Sequence, residues 1–267
     1  MPPETIPETG PKTGPEIVIV PCRSDNYAYL VRDRASAKVA LVDAPAVDPI
    51  VAALDRRGWG LDQIWLTHHH GDHTEGVAAL RARYGAQVVG YEKDSARLPA
   101  LDLALSEGET VSLGDTVARV IDVSGHTIGH IAFVIDAAPV AFTADSLMAL
   151  GCGRVFEGTH AMMWASLSKL MALPDDTQVY SGHNYGQANG RFALTIEPDN
   201  AALRARIARI EAADAAGEPI VPVTLAEELA TNPFLRATQP SVKASVGLAG
   251  ADDAAVFAEV RRRKDAF

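Results

Sequence analysis

The amino-acid sequence predicts an α+β fold: two stacked sheets flanked by helices, followed by a small, mainly helical C-terminal region. Three observations carry this expectation. Segments of strand character come in runs with helices interspersed, which argues against a doubly wound parallel sheet. Clusters of His and Asp stand just past the ends of apolar segments, as in a site built along one sheet edge. From about Phe192 the strand signals give way to helical ones.

Each element has its reason. Residues 1–15 are rich in Pro, Thr, Glu and Gly and lack the charged start and apolar middle of a secretory leader, so a flexible N-terminal tail is expected. Strands are expected at 16–20, 27–31 and 39–42, the first two separated by the turn signal Ser24-Asp25-Asn26. A helix comes next over 49–57. Gln63-Ile64-Trp65-Leu66 reads as a buried strand end, and a helix from about Thr74 to Tyr84 is ended by Gly85. A short strand is expected at 87–90, and further ones at 117–123, 131–135, 140–143 and 178–181, with a helix over 161–173 between the last two. Beyond Gly186 the helices are 200–213, 224–230 and 252–264, the last with Asp252 or Asp253 as its N-cap. The expected organisation is a tail (1–15), a larger domain that carries the His and Asp clusters (16–186) and a small, mainly helical C-terminal domain (187–267).

Composition narrows the function. Of 267 residues 48% are hydrophobic, enough for a sizeable core. The net charge of −10 opposes a general affinity for the phosphate backbone of nucleic acid. The two distant cysteines, Cys22 and Cys152, make no disulfide framework and point to a reducing, cytoplasmic setting. No apolar stretch approaches the length that spans a bilayer, so no membrane partner is expected.

The most informative stretch is Thr67-His68-His69-His70-Gly71-Asp72-His73, four histidines and one aspartate in six residues. Imidazole and carboxylate are ligands for zinc, iron and manganese. After a strand, His68 and His70 point to the same side because side chains alternate, while Asp72 and His73 lie where the chain turns into a helix. One loop thus offers two pairs of ligands in two directions, more than a single ion needs. His126, Asp145 and His183 each come after a further apolar segment. The expected set is His68, His70 and His126 on one divalent ion, Asp72, His73 and His183 on the other, and Asp145 bridging. Asp72 and Asp145 are the catalytic carboxylates, and a hydroxide between the ions is the nucleophile. His69 points away from its neighbours and is expected to be structural or supporting, His130 to pack or orient, and His160 to lie on the surface.

This pattern, His-x-His-x-Asp-His and then single His, Asp and His, resembles the metallo-beta-lactamase superfamily, and it implies the four-layer αββα sandwich of that superfamily with metals at one edge. Gly151-Cys152-Gly153-Arg154-Val155-Phe156-Glu157-Gly158-Thr159 resembles the substrate loop of the glyoxalase II (hydroxyacylglutathione hydrolase) family. Ser181-Gly182-His183-Asn184-Tyr185 is similar to its last ligand motif, Thr231-Asn232-Pro233-Phe234-Leu235-Arg236 to a signature common in bacterial members, and 260–267 to its basic end. The resemblance implies hydrolysis of S-D-lactoylglutathione to D-lactate and glutathione, the second step of methylglyoxal detoxification. It implies two divalent ions per chain, zinc first and iron or manganese as alternatives, and a monomer or weak homodimer. It places Arg154, Phe156, Tyr185, Arg261 and Lys264 against the glutathione moiety. Phe156 departs from the family where some members have tyrosine, so one hydrogen bond to the peptide is missing. The rival reading is a mononuclear iron persulfide dioxygenase acting on glutathione persulfide. It needs only one iron, and the second ligand set argues against it.

Overall fold

The structure, a computed structural model, describes residues 8–9 and 14–267. The expected flexible tail lies largely outside the described residues, but Glu8–Thr9 form a short strand paired antiparallel with Ile17 and Val18. The chain folds as two compact units, one running to Asp122 and including Gly129–Phe142, the other made of Val123–Ile128 and Thr143–Phe267.

The first unit contains β1 (Glu8–Thr9), β2 (Glu16–Cys22), β3 (Asn26–Arg32), β4 (Val39–Val42), α1 (Asp48–Arg57), β5 (Gln63–Trp65), α2 (Gly71–Thr74), α3 (Val77–Tyr84), β6 (Gln87–Tyr91) and β7 (Leu103–Leu105). It continues with β8 (Thr110–Leu113), β9 (Thr116–Asp122), β10 (Ile131–Ile135) and β11 (Val140–Ala144), the last of which runs on into the second unit. Strands β1 to β7 form one sheet in chain order, antiparallel as far as β4 and parallel from β4 to β7. β8 to β11 are successive antiparallel neighbours.

Both faces of the first sheet are covered, which is why its strands read as near-continuous apolar runs. Val18, Val20, Leu30, Leu41, Ile64 and Leu66 pack with Ile50, Ala53 and Leu54 of α1 and Val77 and Leu80 of α3. The alternate positions face the β8–β11 strands: Tyr29 lies 5.4 Å from Phe142 and Trp65 5.3 Å from Phe133, centroid to centroid.

Contrary to expectation, the helix predicted from Thr74 begins at Gly71 and is broken in two at Gly76. The Gly76 amide leaves the helix to bond the Ala44 carbonyl at 2.9 Å, and a Cβ there would sit 3.0 Å from that oxygen. The predicted end at Gly85 holds, in the left-handed conformation (φ 69°) that glycine adopts freely.

The second unit contains β12 (Leu147–Met148), β13 (Gly151–Cys152), α4 (His160–Met171), β14 (Gln178–Ser181), α5 (Gly186–Ile196), α6 (Ala201–Ala216), β15 (Val223–Thr224), α7 (Leu225–Thr231), α8 (Pro240–Ser245) and α9 (Asp253–Ala266). β12 and β13 form a small hairpin, and β14 pairs with β15. Four helices carry side-chain N-caps: Thr159, Asn200, Thr224 and Asp252 accept from the amides of Met162, Leu203, Glu227 and Ala255. A core of Leu150, Ala193, Leu203 and Ile210 lies under α5 and α6. The rings of Phe192, Phe234 and Phe257 form a second cluster, with neighbouring centroids 5.9 and 6.0 Å apart. Residues 143–185 therefore fold with the C-terminal helices, so the compact units do not divide at residue 186 as the sequence motifs do. No helix among the described residues is long and apolar enough to cross a membrane.

Candidate metal centre

In the first unit, β5 ends at Trp65 and delivers Thr67 and His68, both fully buried, into the loop that opens α2. Asp43, just past the end of β4 and 2% exposed, organises that loop. Its carboxylate accepts from the Thr67 amide at 2.9 Å, from Thr67 Oγ1 at 2.8 Å and from His73 Nδ1 at 2.8 Å. The Thr67 hydroxyl gives its proton to Asp43, so it accepts from His68 Nδ1 at 3.0 Å. Both imidazoles are thereby held with Nδ1 protonated and Nε2 presenting a lone pair, the tautomer a metal ligand needs.

His68 Nε2 lies 3.2 Å from His70 Nδ1, and His73 Nε2 lies 3.8 Å from Asp72 Oδ2. Neighbouring ligand atoms around a tetrahedral ion with bonds of 2.0–2.1 Å are about 3.3 Å apart. Asn26 steadies Asp72 by donating to its backbone and side-chain oxygens at 3.1 and 3.2 Å. Asp43, His68 and His73 also have donor atoms within 4.8 Å of one another. The Asp43 oxygens are already engaged by Thr67 and His73, which gives Asp43 the geometry of a group that orients the imidazoles.

The other histidines of this unit have supporting roles, as expected. His69 turns away and bonds the buried Asp94 at 3.0 Å. His130 stacks on His68, with centroids 4.5 Å apart and planes at 14°, and shields it.

In the second unit His126, Asp145 and His183 converge. Asp145 Oδ2 is 3.4 Å from Nε2 of both histidines, and all three residues are buried. His126 Nδ1 donates to the Arg154 carbonyl at 2.7 Å, so its Nε2 faces the carboxylate with a lone pair. Lone pairs set against a carboxylate at ligand–ligand spacing fit a cation between them. The backbone is forced into place here: Ala144, immediately before Asp145, has φ 41°, and Gly153 donates to the Asp145 carbonyl at 2.9 Å. A Cβ on Gly153 would lie 2.2 Å from that carbonyl oxygen, so only glycine fits.

The five expected substrate residues lie in the same unit. The Phe156 ring is 62% exposed and 5.2 Å from the His126 ring. Tyr185, 40% exposed, stacks on His183 at 4.8 Å and 6°. Arg154 is exposed, its Nε 3.9 Å from Asp265. Arg261 is buried: its guanidinium bonds the Cys152 carbonyl at 2.9 Å and Asp265 at 2.9 Å, and lies over the Phe234 ring. Lys264 is half-buried, donates to the Ala188 carbonyl at 3.0 Å and sits between the rings of Phe192 and Phe267. Burial, with Arg261, Arg191 and Arg154 close by, pushes its pKa down to about 8. His160, expected on the surface, is half-buried at the start of α4, edge-on to Phe257 at 6.5 Å. Cys152 is a packed thiol, pushed up to about 11 chiefly by burial, and is no nucleophile.

Sequence reasoning missed Asp43. The signal was there: like the ligands, it is a carboxylate directly after an apolar strand, Val39–Val42. The donors of both units are those that suit divalent metal ions.

Comparison with known proteins agrees. The model of the metallo-beta-lactamase superfamily matches residues 23–183, and that of the hydroxyacylglutathione hydrolase C-terminus matches residues 184–267. A hydroxyacylglutathione hydrolase of Ruegeria pomeroyi is 62% identical over 252 residues, covering 94% of this chain and 99% of that protein. One of Cereibacter sphaeroides is 59% identical with the same coverage. Among solved structures, ETHE1 from Myxococcus xanthus aligns with 92% of this chain and 89% of its own at a TM-score of 0.66 and 24% identity, a likeness of fold. With both family models matched end to end and close relatives spanning nearly the whole chain, the protein belongs to the metallo-beta-lactamase superfamily and, within it, to the hydroxyacylglutathione hydrolase family.

Proposed function

We propose that the protein hydrolyses S-D-lactoylglutathione to D-lactate and glutathione, in the cytoplasm, as a monomer or weak homodimer. The observation that carries this reading is Asp145 set between two imidazole nitrogens, in the unit that also bears Arg154 and Lys264. His68, His70 and His126 would hold one divalent ion and Asp72, His73 and His183 a second, with Asp145 shared between them. Zinc suits the donors best, and iron and manganese tolerate them. When bound, such ions supply Lewis-acid polarisation of a carbonyl and activation of water near neutral pH.

The chain's own residues do the rest. Asp43, Thr67 and the Arg154 carbonyl hold three imidazoles in the liganding tautomer. Arg154 and Lys264 pair with the carboxylates of glutathione. Arg261, from its buried position, adds positive charge and holds the Cys152 carbonyl at the base of the substrate loop. Phe156 and Tyr185, exposed beside His126 and His183, offer ring faces to the glutathione moiety. Water gives up a proton and adds to the acyl carbon, the carbon–sulfur bond breaks, and glutathione, whose thiol pKa is near 8.5, leaves as thiolate without a strong acid and takes a proton back from solvent.

The test is a hydrolysis assay on S-D-lactoylglutathione combined with elemental analysis. Turnover with about two ions per chain is expected, lost on chelation and restored by zinc. A fully loaded protein inert to the thioester sinks the reading. One iron per chain, with oxygen consumption on glutathione persulfide, transfers it to the dioxygenase rival.

Lys264 gives a separate prediction. Lys264→Ala raises KM for the glutathione thioester by roughly ten-fold, the equivalent of about 1.4 kcal/mol, and leaves kcat nearly unchanged, because the ammonium meets the peptide rather than the reacting carbon. In the native enzyme KM climbs as pH rises through about 8, where the folded protein loses this proton. Lys264→Arg flattens that climb. The sign for stability is opposite: between about 8 and the ordinary lysine value the unfolded chain binds more protons, so this residue's contribution to stability improves as pH rises. A KM profile identical in native enzyme and Lys264→Arg contradicts the assignment.

A further inference from the structure

After Asp145 the chain makes the β12–β13 hairpin, which runs into the substrate loop, and its backbone is held at three points by Glu228 of α7 and by Asn232 just past that helix. Asn232 Nδ2 donates to the carbonyls of Met148 (3.3 Å) and Gly151 (2.9 Å). Glu228 accepts from the Leu150 amide at 3.2 Å. Leu150 itself is in the left-handed region (φ 58°), a conformation that costs a leucine energy and needs outside support.

The three groups form one network. Asn232 Nδ2 also bonds Glu228 at 2.9 Å, and its Oδ1 accepts from the Phe234 amide at 3.0 Å, which fixes the amide's orientation. Glu228 is fully buried, and the guanidinium of Arg206, 2% exposed, neutralises it while also donating to Thr231 Oγ1 at 2.7 Å. A buried ion pair of this kind adds little net stability over apolar packing, but it specifies one geometry.

What that geometry sets is the site. The hairpin starts two residues after Asp145. It returns to Gly153, whose amide bonds the Asp145 carbonyl, and to Arg154, whose carbonyl fixes the tautomer of His126. We infer that the Arg206–Glu228–Asn232 network is a positioning device for Asp145 and His126, through which the C-terminal helices serve the chemical step as well as peptide binding. This rests on the hydrolase reading above. It also gives the Thr231–Arg236 motif a task beyond marking the family.

The holoenzyme variants Asn232→Asp and Glu228→Gln test it. The first keeps the shape but replaces the donor by a second carboxylate facing Glu228 and two carbonyls. The second keeps an acceptor for Leu150 but leaves Arg206 without its counter-charge. Both are expected to lower kcat by about 10–100-fold, to leave KM within about two-fold, and to release zinc to a chelator faster than the native protein. Native kcat with native zinc retention, or an effect confined to KM, overturns the inference. So does failure of both variants to fold by circular dichroism, which would make the network a folding element only. If the native enzyme is itself inert to the thioester, the functional reading fails, and zinc release still decides the positioning role.

Discussion

Asp145→Ala abolishes turnover, with kcat falling by roughly 10⁴-fold or more, and lowers bound metal by about half. The reason is geometric. Asp145 Oδ2 stands at the same 3.4 Å from His126 Nε2 and His183 Nε2, so one oxygen serves two ligand groups that the proposed centre assigns to different ions. Losing either histidine would remove one donor from one proposed ion, whereas losing Asp145 would remove the one carboxylate that stands beside both imidazoles and with it the negative charge the cations would need. Asp145→Asn is the sharper variant, because it keeps the volume and the Gly153 bond to the Asp145 backbone carbonyl while removing the charge. It is expected to fold like the native protein and to be almost as inactive as the alanine variant. Elemental analysis beside steady-state kinetics decides. Two ions per chain in a folded, inactive Asp145→Ala protein would show that the carboxylate acts on substrate rather than holding metal.

The ligand-bearing segments were legible because their signals are local. The strands at 39–42, 131–135 and 178–181 appear where apolar runs end in turn residues, and Asp252 caps α9 as its position before an Ala-rich helical stretch suggests. The features that escaped reading depend on partners distant in sequence. The break at Gly76 exists because Ala44, just past the end of β4 and some thirty residues earlier, takes its amide. The β12–β13 hairpin is two residues on each side, too short for a periodic signal, and is held by Asn232 and Glu228 some eighty residues on. β8 alternates Thr-Val-Ser-Leu, but four residues are a short signal, and its identity comes from pairing with β9. The burial of Arg261 is invisible in a run of basic residues, since position along a helix does not reveal which side packs on Cys152 and Phe234. Asp43 is the most consequential omission. Its place directly after an apolar strand was a signal, but one without a spacing pattern, and the folded arrangement is what shows its three donors.

Those donors make Asp43 the residue outside the ligand set with the largest expected effect. Removing its carboxylate leaves the Thr67 amide and the Thr67 hydroxyl without their acceptor in a fully buried site, and frees His73 Nδ1. Each orphaned buried donor costs about 1–3 kcal/mol, so Asp43→Ala is expected to destabilise the metal-free protein by roughly 3 kcal/mol. A second loss is separable from the first. With Asp43 gone the Thr67 hydroxyl can donate toward His68 instead of accepting, and His73 can carry its proton on Nε2, so both imidazoles lose the enforced liganding tautomer. Metal affinity should then fall about 10–100-fold, as is usual when the partner of a liganding histidine is removed. Denaturant titrations with and without chelator separate the two effects, because the stability loss persists without metal and the affinity loss appears only as a smaller stabilisation by added zinc. Asp43→Asn discriminates further: with its oxygen in the Oδ2 place it still accepts from the Thr67 hydroxyl and His73 Nδ1, but its NH2 then faces the Thr67 amide, donor against donor. If Asp43→Ala bound zinc as tightly as the native protein, the carboxylate would be a packing element of the β4–β5 junction and the tautomer argument would be wrong.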